Sequence, residues 1–503
     1  MALAAVERCA ASAPAFLLPL ELARVAAVAV PFCAVVAEAC AQQLRVARYL
    51  LLAPGGGARL AYGERLLHRA QRQRVAVRPT CVAAENYSAR VDTRGRLLIW
   101  GRPGWLEVRH AQADASPASW PALLPRTALP MDKEGNALRG NAAKIASVAA
   151  SRHAVFALTQ DGCLMYAQVR RRADYVIDEV ELHPLRELQG VRVTQVSTRF
   201  GQAFAVAADG AVYAWGMKSG DPQRPEHSCS MGLGAVATLL HPTPIPSFGP
   251  GRGSTPIRFV ATGISHTVFV SIYGEAYTVG RAESGKLGLG SLATCTEQVV
   301  QPVKVHFDVR PSPIIVAAAA GARHSLLLAS SGEAWGCGLA KAGALPMRCP
   351  LDERQAAVWT PRLLDRLPCF CTAVAAGISS SFFVGECGEV YFAGTARHTR
   401  RPFNRLAASD PAVPHRIPGL RQIEQVSVSM ELSFYRWEHA LFVRQDGSLY
   451  AWGHLGHGEF QPSSRPGDGF AAGWSGGKIR RSSIAAGFCN AAVPVDLIPA
   501  VGR

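Results

Sequence analysis

The sequence predicts an all-β propeller of four-stranded blades, preceded by an Ala-rich helical extension. Three observations carry this. A hairpin unit recurs along the chain, its two halves keep a fixed spacing, and successive units lie roughly 50 to 65 residues apart. Four short strands and their loops fill that length, and radial repetition of four-stranded sheets makes a propeller.

The first half of the unit is an apolar strand ending in a small-residue turn, followed by an anchor position and a second apolar strand. Its copies include Val260-Ala261-Thr262-Gly263-Ile264-Ser265-His266 and Ala319-Ala320-Gly321-Ala322-Arg323-His324, with weaker ones at Val374 to Gly377 and Ile484 to Gly487. The second half is a turn, a strand and a Trp-Gly stop. It is clearest at Asp209-Gly210 through Trp215-Gly216 and at Asp446-Gly447 through Trp452-Gly453. Further copies centre on Gly95, Gly162, Gly274, Gly332 and Gly388.

The anchor lies eight residues before the turn glycine at Tyr87, Gln202, His266, His324, Ser380 and His439, and nine before it at His153. A two-strand hairpin demands such spacing, because a one-residue slip turns its apolar face outward. Asp-Gly supplies the positive φ of a tight turn. The Val/Leu-Tyr-x-Trp alternation presents one face to the next blade. The closing glycine lets the chain leave where a Cβ would collide.

After the stop, a unit continues through a loop into a Pro-flanked strand, as in Gly285-Lys286-Leu287-Gly288-Leu289-Gly290 and then Gln301-Pro302-Val303. The hairpin, the Gly-x-Leu-Gly loop and the Ala-Gly-x-x-His strand together resemble the regulator-of-chromosome-condensation (RCC1) repeat, from about residue 80 to 495. The Trp position is Val279, Cys337 and Ala393 in three copies, and His is replaced at Tyr87, Gln202, Ser380 and Asn490, so the resemblance is to a degenerate member. It implies a propeller of typically seven blades. The repeat count suggests eight: the first half at Ile484 to Pro494 has no second half after it, and Gly57 to Gly63 is an in-frame candidate partner. Closing the ring through the two ends would remove free sheet edges. The expected organisation is therefore an extension over 1–56 and a propeller over 57–503.

A hydrophobic content of 49% with 18% charged residues is globular rather than disordered. The formal charge of +16 favours acidic partners such as RNA, DNA or an anionic protein face. Thirteen cysteines are scattered, with Cys369 and Cys371 the closest pair and no Cys-x-x-Cys. This spacing supports no zinc ribbon, and the thiols are expected to be reduced and mostly packed in an intracellular protein. The longest uncharged run near the N-terminus, Val25 to Ala37, is 13 residues, well short of a membrane span. That region fits a mitochondrial presequence only in part and equally fits a helix packed on the body. Pro54-Gly55-Gly56-Gly57 marks its end.

Gly280 to Leu287 is one residue away from a phosphate-binding loop, yet it lacks the Ser or Thr after Lys286 and a long helix beyond. Gly288-x-Gly290-x-x-Ala293 similarly imitates a dinucleotide fingerprint without its βαβ setting. His153, His266, His324 and His439 recur once per blade, so a ring holds them too far apart for a metal. A structural hydrogen bond inside each blade is the expected role, with no catalytic residue, cofactor or metal.

The functional candidates are the basic clusters Arg170-Arg171-Arg172, then Arg397, Arg400, Arg401 and Arg405, and Lys478, Arg480 and Arg481. All fall in predicted loops, where propellers carry contacts. The region Arg59 to Arg78 adds six Arg against Glu64. The leading expectation is a non-catalytic scaffold that binds protein or RNA through these loops, in an organellar ribonucleoprotein. The alternative that the resemblance implies is guanine-nucleotide exchange on a small GTPase, with the insertion Met217 to Met231 as a candidate wedge. A chromatin role fits less well, because the N-terminus is apolar rather than a basic tail.

Overall fold

The computed structural model describes residues 80–84, 87–101, 126–132, 134–138, 140–151, 154–168, 180–199, 201–216, 231–234, 239–290, 297–340, 343–348, 357–394, 412–429, 439–453 and 493–494. The chain divides into two compact units, Met1–Val77 and Arg78–Arg503. The extension over 1–56 and the stretch Gly57 to Gly63 lie outside the described residues.

Blade four shows how the repeat becomes a sheet. Its strands Ile257–Thr262, His266–Ser271, Ala276–Arg281 and Gln298–Lys304 pair in chain order, all antiparallel. The anchor His266 sits opposite the stop Gly280, which explains the constant spacing of the two halves. A Cβ on Gly280, whose φ is 120°, would stand 2.6 Å from the His266 Cα, so only glycine closes the hairpin there. The second strand is buried along its whole length in blades one, three, four, five and six. A neighbouring sheet covers each of its faces, hence unbroken apolar runs such as Leu326-Leu327-Leu328 and Phe382-Phe383-Val384. The outer strand is exposed on one side and carries the proline, as at Pro302 and Pro361, because an edge strand tolerates the missing N–H.

The described strands make seven blades, not the eight suggested by the repeat count. They span 81–130, 145–184, 193–244, 257–304, 315–363 and 371–416, with the seventh at 423–453 completed by Val493–Pro494. Val493–Pro494 pairs with the third strand of blade seven, Leu449–Gly453, as a Pro-bearing outer strand. The apparent orphan therefore completes a blade already counted. Blade seven then packs directly on blade one: Cys81 and Ala83 share a core with Leu441, Val443, Leu449 and Ala451. The ring is closed and leaves no gap for an eighth blade. The outer strands of blades one and two, Arg126–Pro130 and Glu181–Pro184, also pair in parallel and fuse those two sheets.

The core lies between blades. Phe204 and Val206 of blade three pack with Ile257, Val260, Phe269 and Val279 of blade four. Burying a side chain the size of Phe269 contributes about 2–3 kcal/mol. Helix among the described residues is limited to short 3-10 turns such as Arg186–Leu188 and Glu283–Gly285. No described helix is long and apolar enough to cross a membrane.

Candidate functional site

The ring has two faces of different construction. One carries the hairpin turns between second and third strands. At six junctions the turn glycine's carbonyl accepts the N–H that opens the next blade, for example Gly274 from Ile315 at 2.8 Å and Gly210 from Ile257 at 2.9 Å. Gly274 needs glycine both for its φ of 80° and because a Cβ would lie 3.2 Å from the Ile314 Cα. This face is stitched by backbone alone at those points.

The opposite face carries the turns between first and second strands and the long connections that leave each Trp-Gly stop. Neighbouring turns touch: Ile264 N–H donates to Gly321 O, Ala322 N–H donates to Gly377 O, and Ile264 and Ala322 pack with Ile378. Arg199 ends the inner strand of blade three, and its Nη2 donates to Val428 O of blade seven at 3.3 Å. Those blades are not neighbours, so this bond crosses the channel mouth on this face.

The anchor histidines sit just beneath this face. His266 Nε2 lies 2.8 Å from Ser325 Oγ, His324 Nε2 3.0 Å from Ser381 Oγ, and His439 Nε2 3.1 Å from Ser88 Oγ. The sequence places this bond inside one blade, whereas the structure places it between blades, joining each anchor to the residue after the next anchor. Tyr87 uses its longer side chain in the same way, its hydroxyl donating to the Ser151 and Ala154 carbonyls of blade two. Ser325 Oγ donates to Lys286 O at 2.7 Å, so His266 donates to it from Nε2. Burial pushes the pKa of His266 well below the usual histidine value, and Lys286 adds to it. Burial lowers that of His324 to about 4. His153 lies outside the described residues.

Lys286 is fully buried, with Nζ 2.8 Å from Ser265 Oγ and 2.9 Å from Glu283 Oε1. Burial lowers its pKa, and Glu283 opposes that shift. Its ammonium therefore points into the protein and not outward toward a phosphate, as a nucleotide-binding loop would need. Gly285 presses against blade five, where a Cβ would meet Val358 O at 2.6 Å. The Gly-x-Leu-Gly loop is a clamp between blades four and five.

Trp215 and Trp452 are buried and stack edge-on against the preceding blade, on Phe156 at 5.6 Å and on Phe382 at 5.6 Å. Gly210 and Gly447 make the expected turns, and Gly216 and Gly453 pair with the anchors Gln202 and His439. A further device escaped the sequence reading. The triplet Gln-Val-Ser occurs at Gln195 to Ser197 and at Gln425 to Ser427 in inner strands. Gln195 bonds both backbone groups of Val260, while Gln425 Oε1 accepts from Thr80 N at 2.9 Å and Ser427 Oγ from Ala83 N at 3.0 Å. The identical triplets were the available signal.

The basic candidates Arg170, Arg171, Arg172, Arg397, Arg400, Arg401, Arg405, Lys478, Arg480 and Arg481 lie outside the described residues, as does Met217 to Ser230. The strands that flank them are described. Each cluster falls in the connection from a third to an outer strand, between Gln168 and Glu181, Gly394 and His415, or Gly453 and Val493. These connections depart from the Trp-Gly face. Among the described residues no group of three His, Cys, Asp or Glu side chains is placed to hold a metal.

The RCC1 repeat profile, "Regulator of chromosome condensation (RCC1) repeat", matches residues 273–328, from the hairpin of blade four into the second strand of blade five. The ultraviolet-B receptor UVR8 of Arabidopsis thaliana is 28% identical over 272 residues, 54% of this chain and 55% of the receptor. The secretion-regulating guanine nucleotide exchange factor of Bos taurus is 26% identical over 272 residues, 52% of this chain and 51% of that protein. The chain spans about half the length of these curated relatives. The crystal structure of Prp20p from Saccharomyces cerevisiae, presented with its binding properties to Gsp1p and histones, matches with a TM-score of 0.51 and 18% identity. It covers 70% of this chain and 77% of that one, and shows the same fold. With its matched repeat, its seven-bladed ring and these relatives, the chain is an RCC1-like repeat propeller, similar to that family.

Proposed function

We propose that this propeller is a non-catalytic interaction platform that engages an acidic partner, protein or RNA, through the Trp-Gly face. One observation carries the reading: in sequence, each of the three basic clusters follows a third strand, in blades two, six and seven, and those strands end on the Trp-Gly face. The net charge of +16 supports an acidic partner. The described anchor histidines are occupied in joining blades and the Lys286 ammonium is held by Ser265 and Glu283, which leaves recognition to the loops. The finer reading is a ribonucleoprotein of an organelle, for which the basic charge and the partial presequence character of the N-terminus speak.

The test is proximity labelling of the full chain and of the Arg170→Glu, Arg171→Glu, Arg172→Glu triple variant. A partner set rich in RNA-bound proteins, lost in the variant with Tm within a degree or so of wild type, is the expected result. Binding that is unchanged by the variant and by salt returns the clusters to solvated charge.

Exchange on a small GTPase is the second reading. It is favoured by the bovine relative named as an exchange factor and by the binding to Gsp1p described for Prp20p. Accelerated release of labelled GDP from one dominant co-purified GTPase would select it over the scaffold.

A further inference from the structure

We propose that Cys369 and Cys387 form a redox modification site: a thiol pair that closes to a disulfide and clips the hairpin turn of blade six to the connector entering that blade. The register brings them together. Cys371 pairs with Gly385, and the next step out, Glu386 N–H, donates to Phe370 O at 3.0 Å. The chain then turns, Gly388 N–H donating to Gly385 O, so Cys387 stands in the hairpin turn just beyond this last contact and Cys369 in the connector just before it. A disulfide spans roughly 4.4–6.8 Å at Cα, a reach that suits two residues flanking one backbone contact.

Local packing agrees with that placement. The Cys369 Sγ lies 2.8 Å from where a Cβ on Gly385 would stand, so the thiol fills the space that this glycine leaves on the turn. Burial raises the pKa of Tyr391 in the adjoining strand, and Cys369 and, to a lesser degree, Cys387 raise it further, so both thiols lie near that phenol. Access suits a reagent: Cys387 is exposed and Cys369 half-buried, whereas Cys371 beside them is fully buried and its thiol donates to Cys369 O. Cys387 occupies the turn position filled by Asp209 and Asp446 in other blades, so a thiol here is particular to blade six.

The chemistry balances with a disulfide co-reactant such as glutathione disulfide. The Cys387 thiolate attacks one sulfur of the reagent, forming a mixed disulfide and releasing one glutathione thiolate. The Cys369 thiolate then displaces the second glutathione, and the protein S–S bond forms. Two protein thiols are oxidised, one reagent disulfide is reduced to two thiols, and the two protons pass to the released thiolates.

The test is titration of the full-length folded protein with glutathione disulfide, followed by alkylation and peptide mass spectrometry. A Cys369–Cys387 cross-link is expected, reversed by dithiothreitol, lost in Cys369→Ser and in Cys387→Ser, and kept in Cys163→Ser. Because the wild-type chain reports the link directly, poor folding of a variant does not blur the result. Either thiol remaining alkylatable, a stable glutathione adduct at Cys387, or a link to any other cysteine overturns the proposal.

Discussion

The junction between blades four and five and the one between blades seven and one are built from the same repeat yet held by different chemistry. Both carry the anchor bond, His266 to Ser325 and His439 to Ser88. At four–five, the turn carbonyl of Gly274 accepts a backbone N–H from Ile315. At seven–one, the equivalent carbonyl of Gly447 accepts the guanidinium of Arg90 instead, and Gln425 and Ser427 take the backbone N–H groups of Thr80 and Ala83. The reason lies in chain continuity. From four to five the chain runs straight on and delivers the next inner strand with its N–H in place. Blades seven and one have no such connection, so side chains supply the recognition. Closure reuses the Gln-Val-Ser device of the three–four junction and adds a buried arginine.

The largest expected effect is therefore at closure. Arg90 is buried, and replacing it with Met leaves the Gly447 carbonyl without its charged donor, a loss of about 3 kcal/mol. Urea unfolding of Arg90→Met against wild type measures it. Gln425→Ala and Gln195→Ala remove matched side chains and are each expected to cost about 1–3 kcal/mol. Only the first should also speed amide exchange in the strands Cys81–Ala83 and Ile423–Val428, since only that junction can part without a connecting chain holding it. Equal exchange in both variants would mean that covalent continuity does not explain the contrast.

The blades were legible in the sequence because each hairpin is specified locally, by Asp-Gly turns, apolar second strands, a stop glycine and an anchor eight or nine residues before the turn glycine. The blade number was not. Val493-Pro494 looks like the end of a new first half only when the loop before it is ignored, and its true partner, Leu449–Gly453, precedes a connection of nearly 40 residues. The sequence placed the histidine bonds inside one blade, whereas those of His439, His266 and His324 run to Ser88, Ser325 and Ser381 in the next blade. Such contacts depend on how blades pack, and spacing within one repeat carries no trace of them.

The anchors also give the comparison a pH dependence. The folded pKa of His324, about 4, lies below its unfolded value near 6.5, so the unfolded chain binds the extra proton between those values. Stability is full above pH 6.5 and falls by about 3 kcal/mol from this residue as pH drops to 4. His266 is shifted in the same direction and steepens the loss. The carboxylates with lowered pKa, such as Asp92 and Asp446, contribute only at still lower pH. Urea midpoints at pH 7.5 and 5.0 should differ markedly in wild type and less in His324→Gln. An unchanged pH slope in that variant would mean that His324 is not a neutral, buried link.

The smallest effect is expected at the other buried cation. Lys286 and Arg90 each serve one of the compared junctions, yet their partners differ. Arg90 satisfies the backbone carbonyl of Gly447, whereas Lys286 Nζ meets Ser265 Oγ and a Glu283 carboxylate that is half in water. Removing the ammonium lets Glu283 be solvated, and a buried lysine already bears the desolvation that lowers its pKa. What fixes Ser325 is the Lys286 carbonyl, which any residue supplies. Lys286→Met keeps the length and apolar stem of the side chain and should change stability by no more than about 1 kcal/mol. The readout is the urea midpoint of this variant beside that of Arg90→Met at pH 7.5. A loss as large as that of Arg90→Met would show that the clamp between blades four and five depends on the charged pair rather than on the backbone of its loop.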